Sequence, residues 1–216
     1  MKKTEGNLIL LNVIFAISIV IANVVGCKVF NTGFYIGKIE LATSGAFITY
    51  GFSFLCTDII SQIWGKGEAQ RAVWRGFYGQ LLALAFIVLT QYLPTKNEAM
   101  QNAYETLLGQ TPFFVLGSLV AYLISQTWDV HIFHKIREKF ENKTSKKWIW
   151  NNVSTITSQA FDTLIYCTIS FGFGLKMFWW EYGWNIFIGL LVGQYLLKVC
   201  VALLDTPLFY IFTREK

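Results

Sequence analysis

Ser158-Gln159-Ala160-Phe161-Asp162 stands near the middle of an apolar run that extends from residue 149 to residue 175. Two related phrases, Ser61-Gln62-Ile63-Trp64 and Ser125-Gln126-Thr127-Trp128-Asp129, lie toward the ends of two other apolar runs. An Asp or Lys at the centre of a membrane helix costs about 2.5 to 3.5 kcal/mol, so such groups face protein or a watery cavity and find partners there. A polar ligand held among helices accounts for all three phrases.

The rest of the composition fits that setting. Of 216 residues, 54% are hydrophobic and 14% charged, with mean hydropathy +0.46; an average soluble domain is about 25% charged. Crossing the hydrocarbon layer takes about 20 apolar residues as helix. Apolar runs at 8–29, 41–64, 74–93, 112–134, 149–175 and 184–212 therefore predict an all-α, polytopic integral membrane protein. It has six transmembrane helices in a single domain, 1–216. The net charge of +5 does not imply nucleic acid, because most basic residues sit beside apolar runs, where anionic lipid headgroups are the natural partners.

Basic residues also set the topology. Lys2 and Lys3, then Lys66, Arg71 and Arg75, then the 135–147 cluster with Lys135, Arg137, Lys139, Lys143, Lys146 and Lys147, then Arg214 and Lys216 all fall on one side. Only Lys28, Lys38, Lys96 and Lys176 fall on the other, so the positive-inside rule places both termini in the cytoplasm. Trp148, Trp150, Trp179, Trp180 and Trp184 at run ends read as interfacial anchors. Residues 31–44 are too polar for a span and too apolar for a free loop, which suggests a re-entrant or interfacial piece, and 94–111 suggests a short surface helix. Cys27, Cys56, Cys167 and Cys200 form no CxxC pair and read as small buried apolar residues. Val24-Val25-Gly26-Cys27 resembles a lipoprotein cleavage box, but the first run is expected to be retained as a span.

Residues three or four apart share a helix face, so Asp58 with Gln62, Gln126 with Asp129, and Gln159 with Asp162 each present a carboxylate and an amide together. Gln194, Lys198 and Asp205 form one stripe in the sixth run, Asn12 and Asn23 share a face of the first, and Asn151 and Asn152 open the fifth. Interhelical hydrogen bonds worth about 0.6 to 2 kcal/mol explain a Ser, a Thr or a single Asn. They explain Asp162 and Lys198 poorly, since an apolar pair would serve a scaffold at lower cost. Lys198 is expected to pair with Asp162, Asp205 or Asp58. His131 and His134, with Asp129 as a third ligand, are the one metal candidate, and contact with headgroups is the better reading of their interfacial position. No Ser-His-Asp order, HExxH, GxSxG or phosphate-binding glycine loop is present, so no catalytic residue, metal or cofactor is expected.

Taken in order, several of these stretches resemble the queuosine precursor transporter family, also called the vitamin uptake transporter family. The resemblance rests on Ala22 to Lys28 and on Thr57 to Gly65 followed by Ala69 to Gly76. It also rests on Ser125-Gln126 with Asp129 to His134, on Asn151-Asn152 with Ser158 to Thr163, and on Lys198 with Leu203 to Pro207. It implies a six-helix importer in the bacterial inner membrane for 7-deazaguanine bases, the nitrile and aminomethyl precursors of queuosine, with queuine taken by some relatives. On that reading Asp162 or Asp129 accepts the donor edge of the base, Gln159 or Gln126 donates to its carbonyl, and Trp64, Trp128 or Phe161 stacks on the ring. Asp58, Gln62, Asn23 and Asn152 complete the substrate-binding set, and Lys198 with Asp205 forms a coupling ion pair. A homodimer is compatible with this reading. Its rivals are the substrate-binding subunit of an energy-coupling-factor importer, an intramembrane metal-dependent enzyme and a structural membrane subunit. The first is disfavoured because Ala16 and Ala22 are six apart, where docking helices carry small residues four apart.

Overall fold

A computed structural model describes residues 1–26, 28–108, 112–140, 146–174, 176–179 and 183–213. Cys27, Lys143, Trp180, Arg214 and Lys216 lie outside the described residues. Helix α1 spans Glu5–Val25 and opens on Thr4, whose hydroxyl accepts from the Asn7 backbone N–H at 3.4 Å. Its buried residues, Leu11, Phe15, Ile19 and Ala22, recur every three or four positions and so form one stripe. Ile9, Leu10, Val13 and Ile17 stay on the outer surface.

The remaining helices are α2 (Ala46–Ile63), α3 (Lys66–Gln91), α4 (Glu98–Leu108), α5 (Pro112–Lys139), α6 (Lys147–Tyr166) and α7 (Gly183–Phe212). Among the described residues α1, α2, α3 and α7 are long and apolar enough to cross a membrane. Between them α5 and α6 form the most extensive helix pairing. The surface helix expected within 94–111 is present as α4. Helix α3 starts eight residues before the apolar run at 74, because its first two turns carry charge on an exposed face, with Arg71 and Arg75 both reaching Glu68. Helix α6 widens at its end into a π-helical stretch, Cys167–Gly174.

The region read as re-entrant or interfacial is an antiparallel hairpin of β1 (Val29–Ile36) and β2 (Ile39–Ser44), an exception to an all-α fold. The sequence explains it locally. Val29, Phe30, Thr32, Phe34, Tyr35 and Ile36 favour a pleated strand, and Gly37, at φ +62°, opens a two-residue turn that an L side chain would strain. The register runs from Val29 opposite Ser44 to Ile36 opposite Ile39, with an irregularity between Asn31 and Tyr35.

Strand β2 is held by α7. A methyl group added at Gly189 or Gly193 would overlap the carbonyl oxygen of Glu40 or Ala42, so strand backbone lies directly on helix backbone at both glycines. The main apolar core lies elsewhere, where Phe15, Ile59, Ile60, Tyr122, Phe133, Trp150 and Phe209 meet. The Tyr122 hydroxyl is anchored there on the Val73 carbonyl at 2.6 Å.

The N-terminus, the last described residues of α7 and the basic residues Lys66, Arg137 and Lys147 gather at one end of the bundle. The N-terminal ammonium donates to the Phe212 carbonyl, and Lys147 Nζ donates to the Thr213 carbonyl at 2.9 Å. Arg137 Nη1 donates to the Ser61 and Gln62 carbonyls, each at 3.2 Å, and so caps α2. Lys66 Nζ approaches His131 Nδ1 at 3.2 Å.

Candidate functional site

The deep carboxylate and the deep ammonium meet. Lys198 Nζ of α7 lies 2.6 Å from Asp162 Oδ2 of α6, with the two side chains 4% and 2% exposed. Lys198 also donates to Thr163 Oγ1 at 3.3 Å and sits 4.9 Å from the centroid of the Tyr50 ring, a cation–π distance. Ser125 of α5 donates to the other oxygen of Asp162 at 3.2 Å. A buried ion pair with both oxygens of the acid engaged is the arrangement that makes two such charges tolerable. Of the three expected partners for Lys198 the structure selects Asp162. Asp205 lies farther down α7, against Gly51 of α2.

This pair borders a cavity between α1, α2, β2, α5, α6 and α7. Its walls include Asn23, Thr43, Tyr50, Ser118, Tyr166 and Gln194. Together with its open mouth it comprises about 450 Å³ of space not filled by atoms, of which the centre of a water molecule can occupy about 30 Å³. Two of its polar atoms, Thr43 Oγ1 and Gln194 Nε2, are buried and have no hydrogen-bond partner among the described residues. Leaving such groups unsatisfied costs about 1 to 3 kcal/mol each, so the wall is built at a cost in stability.

A second polar layer lies between this cavity and the basic end. Ser158 donates to Asp129 Oδ1 and Thr155 to Asp58 Oδ2, both at 3.1 Å, while Asp58 Oδ1 and Asp129 Oδ2 are buried with no hydrogen-bond partner among the described residues. Gln126 accepts from Thr57 at 3.4 Å and donates to Ser53 at 3.5 Å. Gln159 is buried with its Oε1 unpartnered. Of the repeated Ser-Gln phrases, Asp162 reaches the cavity wall, while Gln126, Asp129 and Ser158 belong to the layer beneath it.

Other expected residues do not join the cavity. Gln62 accepts from the Trp150 indole at 3.2 Å. Asn152 donates to Trp148 O at 2.9 Å and Thr206 Oγ1 at 2.8 Å, which ties α6 to α7. Trp64 packs on the apolar core. Trp128 and Phe161 are 39% and 37% exposed and pack edge to face at 4.9 Å on the outer surface, where neither can stack on a ligand in the cavity. The aromatic walls are instead Tyr50, Tyr166 and Phe47. Tyr166 falls one helical turn after Asp162, a spacing that marks it in the sequence; Thr43 lies on a strand, where helical spacing gives no signal. His134 packs on Phe133 while His131 faces Lys66, and among the described residues no three His, Cys, Asp or Glu side chains converge as a metal site.

Buried charges that converge on a small polar cavity among apolar helices are what a membrane carrier of small polar molecules requires. The chain is a member of the family whose model is described as "Putative vitamin uptake transporter", which matches residues 44–212. It is 34% identical over 165 residues to the "Probable queuosine precursor transporter" of Bacillus subtilis (strain 168), covering 76% of this chain and 68% of that one. It is 28% identical over 129 residues to the "Queuosine precursor transporter" of Escherichia coli (strain K12), covering 60% of this chain and 55% of that one. No solved structure matches.

Proposed function

We propose that this protein is a standalone importer of queuosine precursors, bases of the 7-deazaguanine type, and that the base binds at the Asp162–Lys198 pair. It lies in the bacterial inner membrane with six spans, α1, α2, α3, α5, α6 and α7, and both termini in the cytoplasm. The gathering of Lys66, Arg137, Lys147, the N-terminus and the last described turn of α7 at one end of the bundle supports that orientation.

The observation that carries the binding site is the cavity in which an ion pair and two unpartnered polar atoms face the same space. A guanine-like edge presents ring NH and amine donors, which suit Asp162, beside a carbonyl acceptor, which suits Lys198 or the Gln194 amide. The flat faces of the base pack against Tyr50 and Tyr166. A water-centre volume of about 30 Å³ holds about two waters and no bicyclic base, so binding requires the Asp162–Lys198 contact to open. The base then supplies an acceptor to the ammonium and donors to the carboxylate, replacing one charged contact by several. Polar recognition of this kind rejects analogues that leave a partner unsatisfied.

The test is uptake of labelled base by liposomes containing the purified protein alone, and by a precursor-requiring strain carrying Asp162→Asn. Wild-type liposomes are expected to accumulate base and the variant strain to lose uptake. Uptake that appears only with an added ATP-driven partner refutes the standalone reading, and normal uptake by Asp162→Asn removes the carboxylate from the site.

A further inference from the structure

A second cavity lies between α1, α3 and α5, on the side away from the basic end. It comprises about 580 Å³ of space not filled by atoms, its open mouth included, of which the centre of a water molecule can occupy about 40 Å³, so a heterocycle enters only as the helices part; it is lined mainly by apolar residues such as Val20, Leu84 and Leu119, reaching Gln91 and Leu108 at its outer limit. Gln80 of α3 lines it, is 1% exposed, and has neither its amide nitrogen nor its amide oxygen hydrogen-bonded among the described residues. Asn23 and Ser118 line both this cavity and the one at Asp162, and Ser118 donates to Asn23 Oδ1 at 2.9 Å across the partition.

A buried carboxamide with both ends unpaired serves no packing role, since Leu fills nearly the same volume without the desolvation cost. We infer that Gln80 forms an outer subsite, where a planar heterocycle with adjacent donor and acceptor atoms, such as a lactam edge, pauses before passing the Asn23–Ser118 partition. The inference rests on the transporter reading above and adds a station to it. The chemistry differs between the two stations. Asp162 only accepts when ionised and Lys198 only donates, so that site fixes the polarity of its ligand; a carboxamide presents an NH2 donor group beside a carbonyl acceptor and, by flipping, pairs with either order. Gln80 therefore contributes affinity without discrimination, and selectivity is left to the deeper pair.

Gln80→Leu in the full chain tests this in liposomes, with labelled 7-aminomethyl-7-deazaguanine as probe and unlabelled guanine and adenine as competitors. The expected result is a KM about tenfold higher, an unchanged order of competition, and a thermal stability equal to or above wild type, because an unsatisfied amide has been removed. A merely structural Gln80 would move stability and leave KM alone. Wild-type KM in the variant overturns the subsite, as does a changed order of competition, which would place Gln80 in the discriminating site. A wild-type protein that accumulates no probe overturns the transporter reading itself, and so is told apart from failure of the subsite. Gln80→Met is a second variant for the case in which Leu disturbs folding: it keeps the length of the side chain, has no donor and only a weak sulfur acceptor, and is expected to raise KM likewise, while a wild-type KM there overturns the subsite.

Discussion

Lys198→Met leaves Asp162 buried at 2% exposure with Ser125 as its remaining hydrogen-bond donor. Removing one member of a buried pair costs about 3 to 5 kcal/mol, because the surviving charge has lost its compensation. At about 2 to 4 °C per kcal/mol for a chain of this size, the apparent melting temperature falls by about 6 to 20 °C. Asp162→Asn combined with Lys198→Met removes both charges, and the double variant recovers more than half of that loss, a coupling of about 2 kcal/mol or more. Thermal unfolding of the four proteins in detergent completes the cycle, and uptake by the same four in liposomes separates fold from function. The double variant is expected to be stable and inactive. A Lys198→Met protein as stable as wild type would falsify the ion-pair account, and a double variant with normal uptake would show that the pair is architecture alone.

Four further outcomes follow from the geometry. Gly193→Ala drives a methyl into the Ala42 backbone, and overpacking of that kind costs about 1 to 3 kcal/mol; faster proteolysis of the hairpin together with a lower melting temperature checks it. Arg137→Gln frees the Ser61 and Gln62 carbonyls and is expected to lower stability by about 1 to 3 kcal/mol, read by thermal unfolding, with the KM for base unchanged. Asn152→Ala loses its bonds to Trp148 and Thr206 and lowers stability by about 0.6 to 2 kcal/mol; a raised KM there would return Asn152 to the binding site. Trp128→Ala, on the outer surface, leaves uptake within about twofold of wild type, and a larger loss would mean that base passes along that face.

The helices and the deep charges were legible because membrane insertion penalises exceptions strongly. An Asp or Lys in a run of apolar residues is visible without knowledge of neighbours, and Asp162 and Lys198 do meet. Which partner Lys198 takes was not legible, since Asp162, Asp205 and Asp58 all have suitable chemistry and only the rotation of α6 and α7 distinguishes them. The exposed aromatics failed for a related reason. Trp128 and Phe161 sit beside polar residues in sequence, yet on a helix one position of offset turns a side chain by about 100°, enough to take both rings out of the interior. Residues 31–44 were ambiguous because helix-length criteria say nothing about a short hairpin whose stability comes from Gly189 and Gly193, some 150 positions later in the chain. Gln80 stood unnoticed among the apolar residues of α3, a single amide with no repeated phrase around it.

The seat of β2 on those two glycines restricts how the protein can change shape. Strand backbone lies against helix backbone there, which leaves little room for β2 to slide on α7, so the hairpin and α7 are expected to move together. Thr43 rides on that body and so does Lys198, whereas Asp162 belongs to α6. On the proposed binding mode the ammonium and its carboxylate would stand on opposite sides of the opening seam, and breaking that contact would be the same event as parting the two bodies. Whatever binds at the seam acts as a wedge, and its own charge pattern decides how far the wedge is driven.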